Sequence, residues 1–149
     1  MSIYAFRHRV ACYVTRTTGQ GEELLVFEHA DDDPHDPSGV QVPAGTMLPY
    51  EALAAAALRE VAEETGLSGL SYVDQVGFVE LGLHDEGGPS MTNFVHLVAP
   101  SNGEPSWEHT VSGDGDDAGM TFLCRWEPLP LSIGLADGQA AFLDRVAHG

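Results

Sequence analysis

At 149 residues the chain is long enough for one domain with a real core, and 43% hydrophobic with 19% charged residues describes an ordinary folded protein rather than a disordered one. Six arginines and no lysine stand against 23 acids, for a net charge of −17. That balance excludes duplex nucleic acid and anionic membrane as electrostatic partners, and it repels a phosphorylated small molecule unless a cation stands between them.

The N-terminal stretch MSIYAFRHRV lacks the apolar centre of a signal peptide. No run reaches the ~20 apolar residues of a membrane span, so a cytoplasmic protein is expected. Residues 8–15 (HRVACYVT) and 23–28 (ELLVFE) are strand-like, and Thr17 to Gly21 between them predicts a hairpin turn. The acidic, proline-containing segment ADDDPHDPSG (residues 30–39) reads as a surface loop. A short strand is expected at Val40–Val42, followed by Pro43-Ala44-Gly45. Residues 51–65 form a helix in this reading, with Pro49 just before it and Gly66 as a left-handed C-terminal cap. Strands are expected at Ser71–Leu83, Met91–Ala99 and Met120–Trp126, and an amphipathic helix from Gly138 to His148 with Phe142, Leu143 and Val146 inward. Cys12 and Cys124 lie in apolar runs without metal or redox spacing, which predicts buried free thiols. With no repeats and no linker, residues 1–149 read as a single α+β domain around one sheet.

The predicted helix carries REVAEETG, residues 59–66. At 100° per residue, Glu60, Glu63 and Glu64 share one face, with Ala54, Leu58, Val61 and Ala62 expected on the opposite, core-facing side. Like charges at these spacings destabilise a helix by roughly 0.2–0.5 kcal/mol per pair, and they stand near the C-terminus, where the dipole disfavours anions. The face needs something positive. Arginines from elsewhere in the fold are one compensator; a hard divalent cation with oxygen ligands is the other.

From Gly45 the chain reads GTMLPYEALAAAALREVAEETGL. Gly45, Glu51, Arg59-Glu60, Glu63-Glu64 and Gly66, with aliphatic Val61 and Leu67, fill every fixed position of the Nudix box, and in this the sequence resembles the Nudix hydrolase family. The resemblance implies an α/β/α sandwich around a mixed sheet. It also implies a pyrophosphohydrolase acting on a nucleoside diphosphate linked to another moiety, with Mg²⁺ or Mn²⁺ as cofactor, and allows a homodimer, the state of many members. By the same resemblance Glu60, Glu63 and Glu64 would bind the metal, helped by the carbonyl of Gly45 or Ala44. Glu60 would act as base or position the water, while Arg59 would orient the glutamates and Glu51 would support the loop through Arg59. Eight helical residues span about 12 Å, so that last pairing requires the chain near Glu51 to bend back; a favourable acid at a helix N-terminus is the plainer role. Where family members often have Gly-Gly and Glu-Pro-Gly-Glu, this chain has Ala44-Gly45 and Leu48-Pro49-Tyr50-Glu51, which could bring the Tyr50 ring towards substrate.

A further carboxylate often comes from outside the box. Glu104, Glu108, Asp114, Asp116 and Asp117 are in the right region, and Glu108 is preferred for its neighbours Trp107 and His109, able to stack on a base and reach a phosphate. A partly buried tryptophan with polar loop neighbours explains that triplet equally well. Asp114–Gly119 fails as a calcium loop because its fifth position is Ala118. Arg9 is a candidate phosphate contact, or a charge-balancing group. The remaining histidines show no metal spacing. The alternatives to a hydrolase are a non-catalytic Nudix-fold nucleotide-binding or regulatory module, expected to lack a metal glutamate, and an acidic protein that binds divalent ions without turnover.

Overall fold

The computed structural model describes residues 6–35, 37–82, 88–115 and 117–146; Leu83, His84, Asp116 and His148 fall outside them. Among the described residues, seven strands and one α-helix follow in the order β1 (Arg7–Thr18), β2 (Gly21–His29), β3 (Ala44–Thr46), α1 (Leu53–Thr65), β4 (Ser71–Leu81), β5 (Ser90–Val98), β6 (Ser106–Thr110) and β7 (Thr121–Pro128). They form one mixed sheet in the order β4-β5-β1-β2-β7-β6, with β3 also paired to β1. The β1–β5 pair is parallel and the others antiparallel. The α+β class and the mixed sheet agree with the sequence reading.

Strand β1 is buried on both faces, so its apolar run is nearly continuous rather than alternating. Val10, Cys12 and Val14 meet Ala56, Ala57 and Val61 of α1, while Ala11 and Tyr13 join Leu24, Val26, Phe94 and Val146 on the other side. Both cysteines are buried free thiols, as expected. No helix among the described residues is long and apolar enough to cross a membrane.

Three expected elements differ. Residues 40–42 make only a bridge, Gln41 with Phe27, and the strand lies later, at Ala44–Thr46, where it pairs with β1. Residues 106–110 are a strand rather than loop, paired with β7. The described part of the C-terminal segment contains no α-helix, only a 3₁₀ turn at Leu143–Arg145. Its backbone is engaged elsewhere: the Tyr13 hydroxyl donates to the Gln139 carbonyl and accepts from the Phe142 amide, and Gln139 Oε1 accepts from the Val42 amide at 2.8 Å. Apolar side chains of this strap, Leu131, Leu135 and Phe142 among them, cover the sheet face opposite α1 without helical periodicity.

Phe142 packs so closely on β4 that a Cβ at Gly77 would lie 2.5 Å from its ring. Gly77→Ala is therefore expected to destabilise the fold by about 1–3 kcal/mol through overpacking, measurable by urea denaturation, and Phe142→Ala in the same chain should recover part of that loss.

Candidate functional site

Helix α1 starts at Leu53, so Glu51 precedes it and the chain does bend back. Arg59 donates from Nε to Glu51 Oε2 at 2.8 Å and from Nη2 to Glu51 Oε1 at 2.9 Å, a bidentate pair. Glu51 Oε1 also accepts from the Leu48 amide at 3.0 Å, which closes the loop on itself. These hydrogen bonds hold the Glu51 carboxyl below its ordinary range and raise the Arg59 guanidinium further. Arg59 Nη1 then reaches Glu60 at 3.0 Å and Glu63 at 3.3 Å, and Nη2 the Thr46 carbonyl at 3.2 Å. One arginine thus ties the loop, strand β3 and two helix glutamates together.

The glutamates do not form a solvated ridge opposite the core. The helix buries Ala56, Ala57, Glu60, Val61 and Glu64, whereas Leu58 is exposed and Ala54 and Ala62 are only half-buried. Glu60 and Glu64 therefore belong to the inward face, at the i, i+3, i+4, i+7 spacing that begins with Ala57. The predicted core face is rotated accordingly.

Close backbone approach makes room for them. A Cβ at Gly45 would fall 2.3 Å from the Glu60 carboxyl carbon, and one at Gly113 would fall 2.8 Å from that of Glu63. Glu64 is 3% exposed and accepts from the Ala44 amide at 2.7 Å. Among the described residues no cation pairs with it. Burial first, then Glu60 and Asp117, push its carboxyl from 4.5 up to about 9. Glu60 is raised too, mainly by burial, with Arg59 opposing.

Asp117, from outside the helix, lies close enough to Glu64 to help raise its carboxyl, and it lines the same cavity as the helix glutamates. Glu108, preferred from the sequence, is exposed on β6 and lines neither cavity described below; the strand's alternation turns Trp107 and His109 the other way. Those two side chains finish the helix instead. Trp107 Nε1 donates to the Thr65 carbonyl at 2.7 Å, and His109 Nε2 contacts the Glu63 carbonyl at 3.0 Å. Gly66, at φ 78°, supplies the expected left-handed cap. Tyr50 is fully exposed at φ 63° and lines neither cavity; it holds the left-handed conformation for which glycine is the usual residue.

Glu60, Glu63, Glu64, Arg59, Arg9, Asp114 and Asp117 line a cavity of about 380 Å³. It adjoins a second, of about 610 Å³, across Arg9, Ala44, Glu64 and Asp117, which line both. The larger cavity adds Arg7, His29, Gln41, Phe94 and Gln139. Among these, His29, Gln41 and Gln139 carried no sequence signal, since they come together only through the sheet and the C-terminal strap. All acidic donors are oxygens, the set a hard divalent cation takes. Among the described residues no three His, Cys, Asp or Glu side chains converge as a closed metal cluster; Glu60 and Glu63 are turned to Arg59, and Glu64 to the Ala44 amide. The buried, cation-free Glu64 beside Glu60 and Asp117 is nevertheless a place that fits added positive charge.

Comparison with solved structures finds the same fold at low sequence identity. The NUDIX domain of Shewanella oneidensis NrtR, complexed with ADP ribose, superposes with a TM-score of 0.63 at 19% identity, over 97% of this chain and 88% of that one. The Nudix hydrolase RenU of M. smegmatis gives 0.61 at 18% identity, over 96% and 88%. The C. elegans Ap4A hydrolase gives 0.52 at 17%, over 82% and 80%. No curated protein matches the sequence. The NUDIX domain family model matches residues 5–145. With nearly the whole sequence matched and the fold shared, the chain belongs to the Nudix family.

Proposed function

We propose that residues 1–149 form one Nudix hydrolase domain that cleaves the pyrophosphate of a nucleoside diphosphate linked to another moiety, dependent on Mg²⁺ or Mn²⁺. One observation carries this reading: a carboxylate-lined cavity beside the box helix adjoins, across Arg9 and Asp117, a larger cavity with aromatic and amide walls. The first suits a pyrophosphate with its counter-cation, the second an organic substituent. The ADP ribose complex of the NrtR domain supports a ligand of this class.

Glu60, Glu63 and Glu64, with the Gly45 or Ala44 carbonyl and Asp117, are the groups that would hold the metal. When bound, such an ion polarises the phosphoryl oxygens and lowers the pKa of a coordinated water. The chain's own residues supply the rest. Glu60, pressed on Gly45 and held by Arg59 at 3.0 Å, is fixed in place to accept a proton from water. Arg59 and Glu51 keep the loop and helix in register, and Arg9, which lines both cavities, neutralises phosphate as it enters. Asp117 replaces Glu108 as the carboxylate from outside the box.

Incubating the protein with ADP ribose, a dinucleoside polyphosphate and nucleotide sugars, with Mg²⁺ or Mn²⁺, tests the reading through nucleotide release. Turnover of at least one compound is expected. Binding without turnover on every compound would favour the regulatory module instead, although none of the box glutamates is missing. Glu63→Gln should lower turnover about a hundredfold or more with little change in melting temperature, because Glu63 is partly exposed and, among the described residues, its carboxylate is tied only by the 3.3 Å contact to Arg59. Parent-level turnover in that variant would refute the metal-site assignment.

A further inference from the structure

A third cavity, of about 430 Å³, lies at the C-terminal end of α1 and shares no lining residue with the two described above. Its size is that of a small-molecule site. Leu67, Leu70, Pro100, Trp107 and Trp126 make it largely apolar, and Glu104 is the acidic side chain in its lining, beside the neutral polar groups of Asn102, Ser68 and Thr65.

The unpaired charge at its lining is negative. The helix directs its partial negative end here, and the last turn carries no basic residue to offset it. The Glu104 carboxylate has no hydrogen-bond or ion-pair partner among the described residues. His109, the one basic side chain in the lining, is engaged with the Glu63 carbonyl. Trp126 already accepts a cation: the Arg16 guanidinium stands 4.5 Å from its ring centroid while pairing with Glu23 and donating to the Gly103 carbonyl. Indole faces attract cations, Trp most strongly. A phosphate or carboxylate would meet Glu104 and the helix terminus with the wrong sign.

We infer that this cavity binds a small organic cation, an amine with an apolar body, whose body rests against the tryptophans and whose ammonium faces Glu104 and the end of α1. The site is separate from the carboxylate cleft, and its test does not depend on catalysis. Trp107 and Trp126 are the only tryptophans in the chain and both line the cavity, so intrinsic tryptophan emission reports on it directly.

The probes are phenethylamine, the neutral 2-phenylethanol and the anionic phenylacetate, titrated while emission is followed. Phenethylamine should give a saturable change at concentrations where the other two do not. Glu104→Gln should weaken it about fivefold, the factor equivalent to ~1 kcal/mol for a partly exposed charge pair. Equal saturation by 2-phenylethanol, tighter binding of phenylacetate, an unchanged phenethylamine curve in Glu104→Gln, or no saturation by phenethylamine would each overturn the inference. Glu104 is exposed and has no hydrogen-bond or ion-pair partner among the described residues, so this variant should fold like the parent.

Discussion

Glu64→Gln is expected to make the metal-free protein more stable and the divalent-ion response smaller. In the parent the folded state holds a proton on Glu64 up to about pH 9, whereas the unfolded chain releases it near 4.5. Between those values the folded state binds more protons, so this group's contribution to stability is complete at low pH and is lost as pH rises through the window. Glutamine keeps an acceptor for the Ala44 amide, offers a donor to Asp117 and has no charge to desolvate. In EDTA at pH 8 the variant should gain about 1–3 kcal/mol over the parent, with a flatter dependence of melting temperature on pH. Magnesium or manganese should raise the melting temperature of the parent more than that of the variant, and turnover should fall about a hundredfold or more. A parent-like metal response in Glu64→Gln would remove Glu64 from the proposed ligands.

Arg59→Met should have the largest effect on the fold. It strands Glu60, 9% exposed at its side chain, and Glu51 at 13%, and it releases the loop from the helix. Breaking a buried pair costs roughly 3–5 kcal/mol, and Arg59 itself is a quarter exposed, so a loss of about 2–3 kcal/mol follows. Arg59→Lys should recover only part of it, because an ammonium cannot reproduce the two parallel bonds to Glu51. A double-mutant cycle with Glu51→Gln, followed by urea denaturation, measures the pair; coupling below about 0.5 kcal/mol would mean the loop is held by other contacts.

The parts of the molecule legible in the sequence are those decided locally. Helix α1 and its Gly66 cap follow from alanine-rich composition and one left-handed residue, and the hairpin β1–β2 from apolar runs around a short turn. The box residues were readable because the pattern specifies spacing. Which way they face was not. Glu60 and Glu64 point inward because Gly45 and the Ala44 amide on β3 receive them, and nothing in residues 51–65 announces that. Strand β6 was hidden because Ser106–Thr110 has little β-pattern of its own; its pairing with β7 and its two side-chain bonds to α1 come from distant residues. The C-terminal helix failed for a similar reason: the apolar residues are there, but a hydroxyl on β1 holds their backbone in another conformation.

The parallel pairing of β1 with β5 also sets an order in time. A parallel neighbour cannot be reached by a tight turn, so β1 must wait for most of the intervening chain before its central pairing closes. On a ribosome, the glutamate helix emerges well before β5, and before the loop that brings Asp117 to Glu64. The N-terminal half of the chain therefore spends its first moments as an acidic segment without a cleft. On the proposed reading, a capacity to engage a doubly charged ion would arrive only with the C-terminal half, as a late product of folding rather than a property of the box.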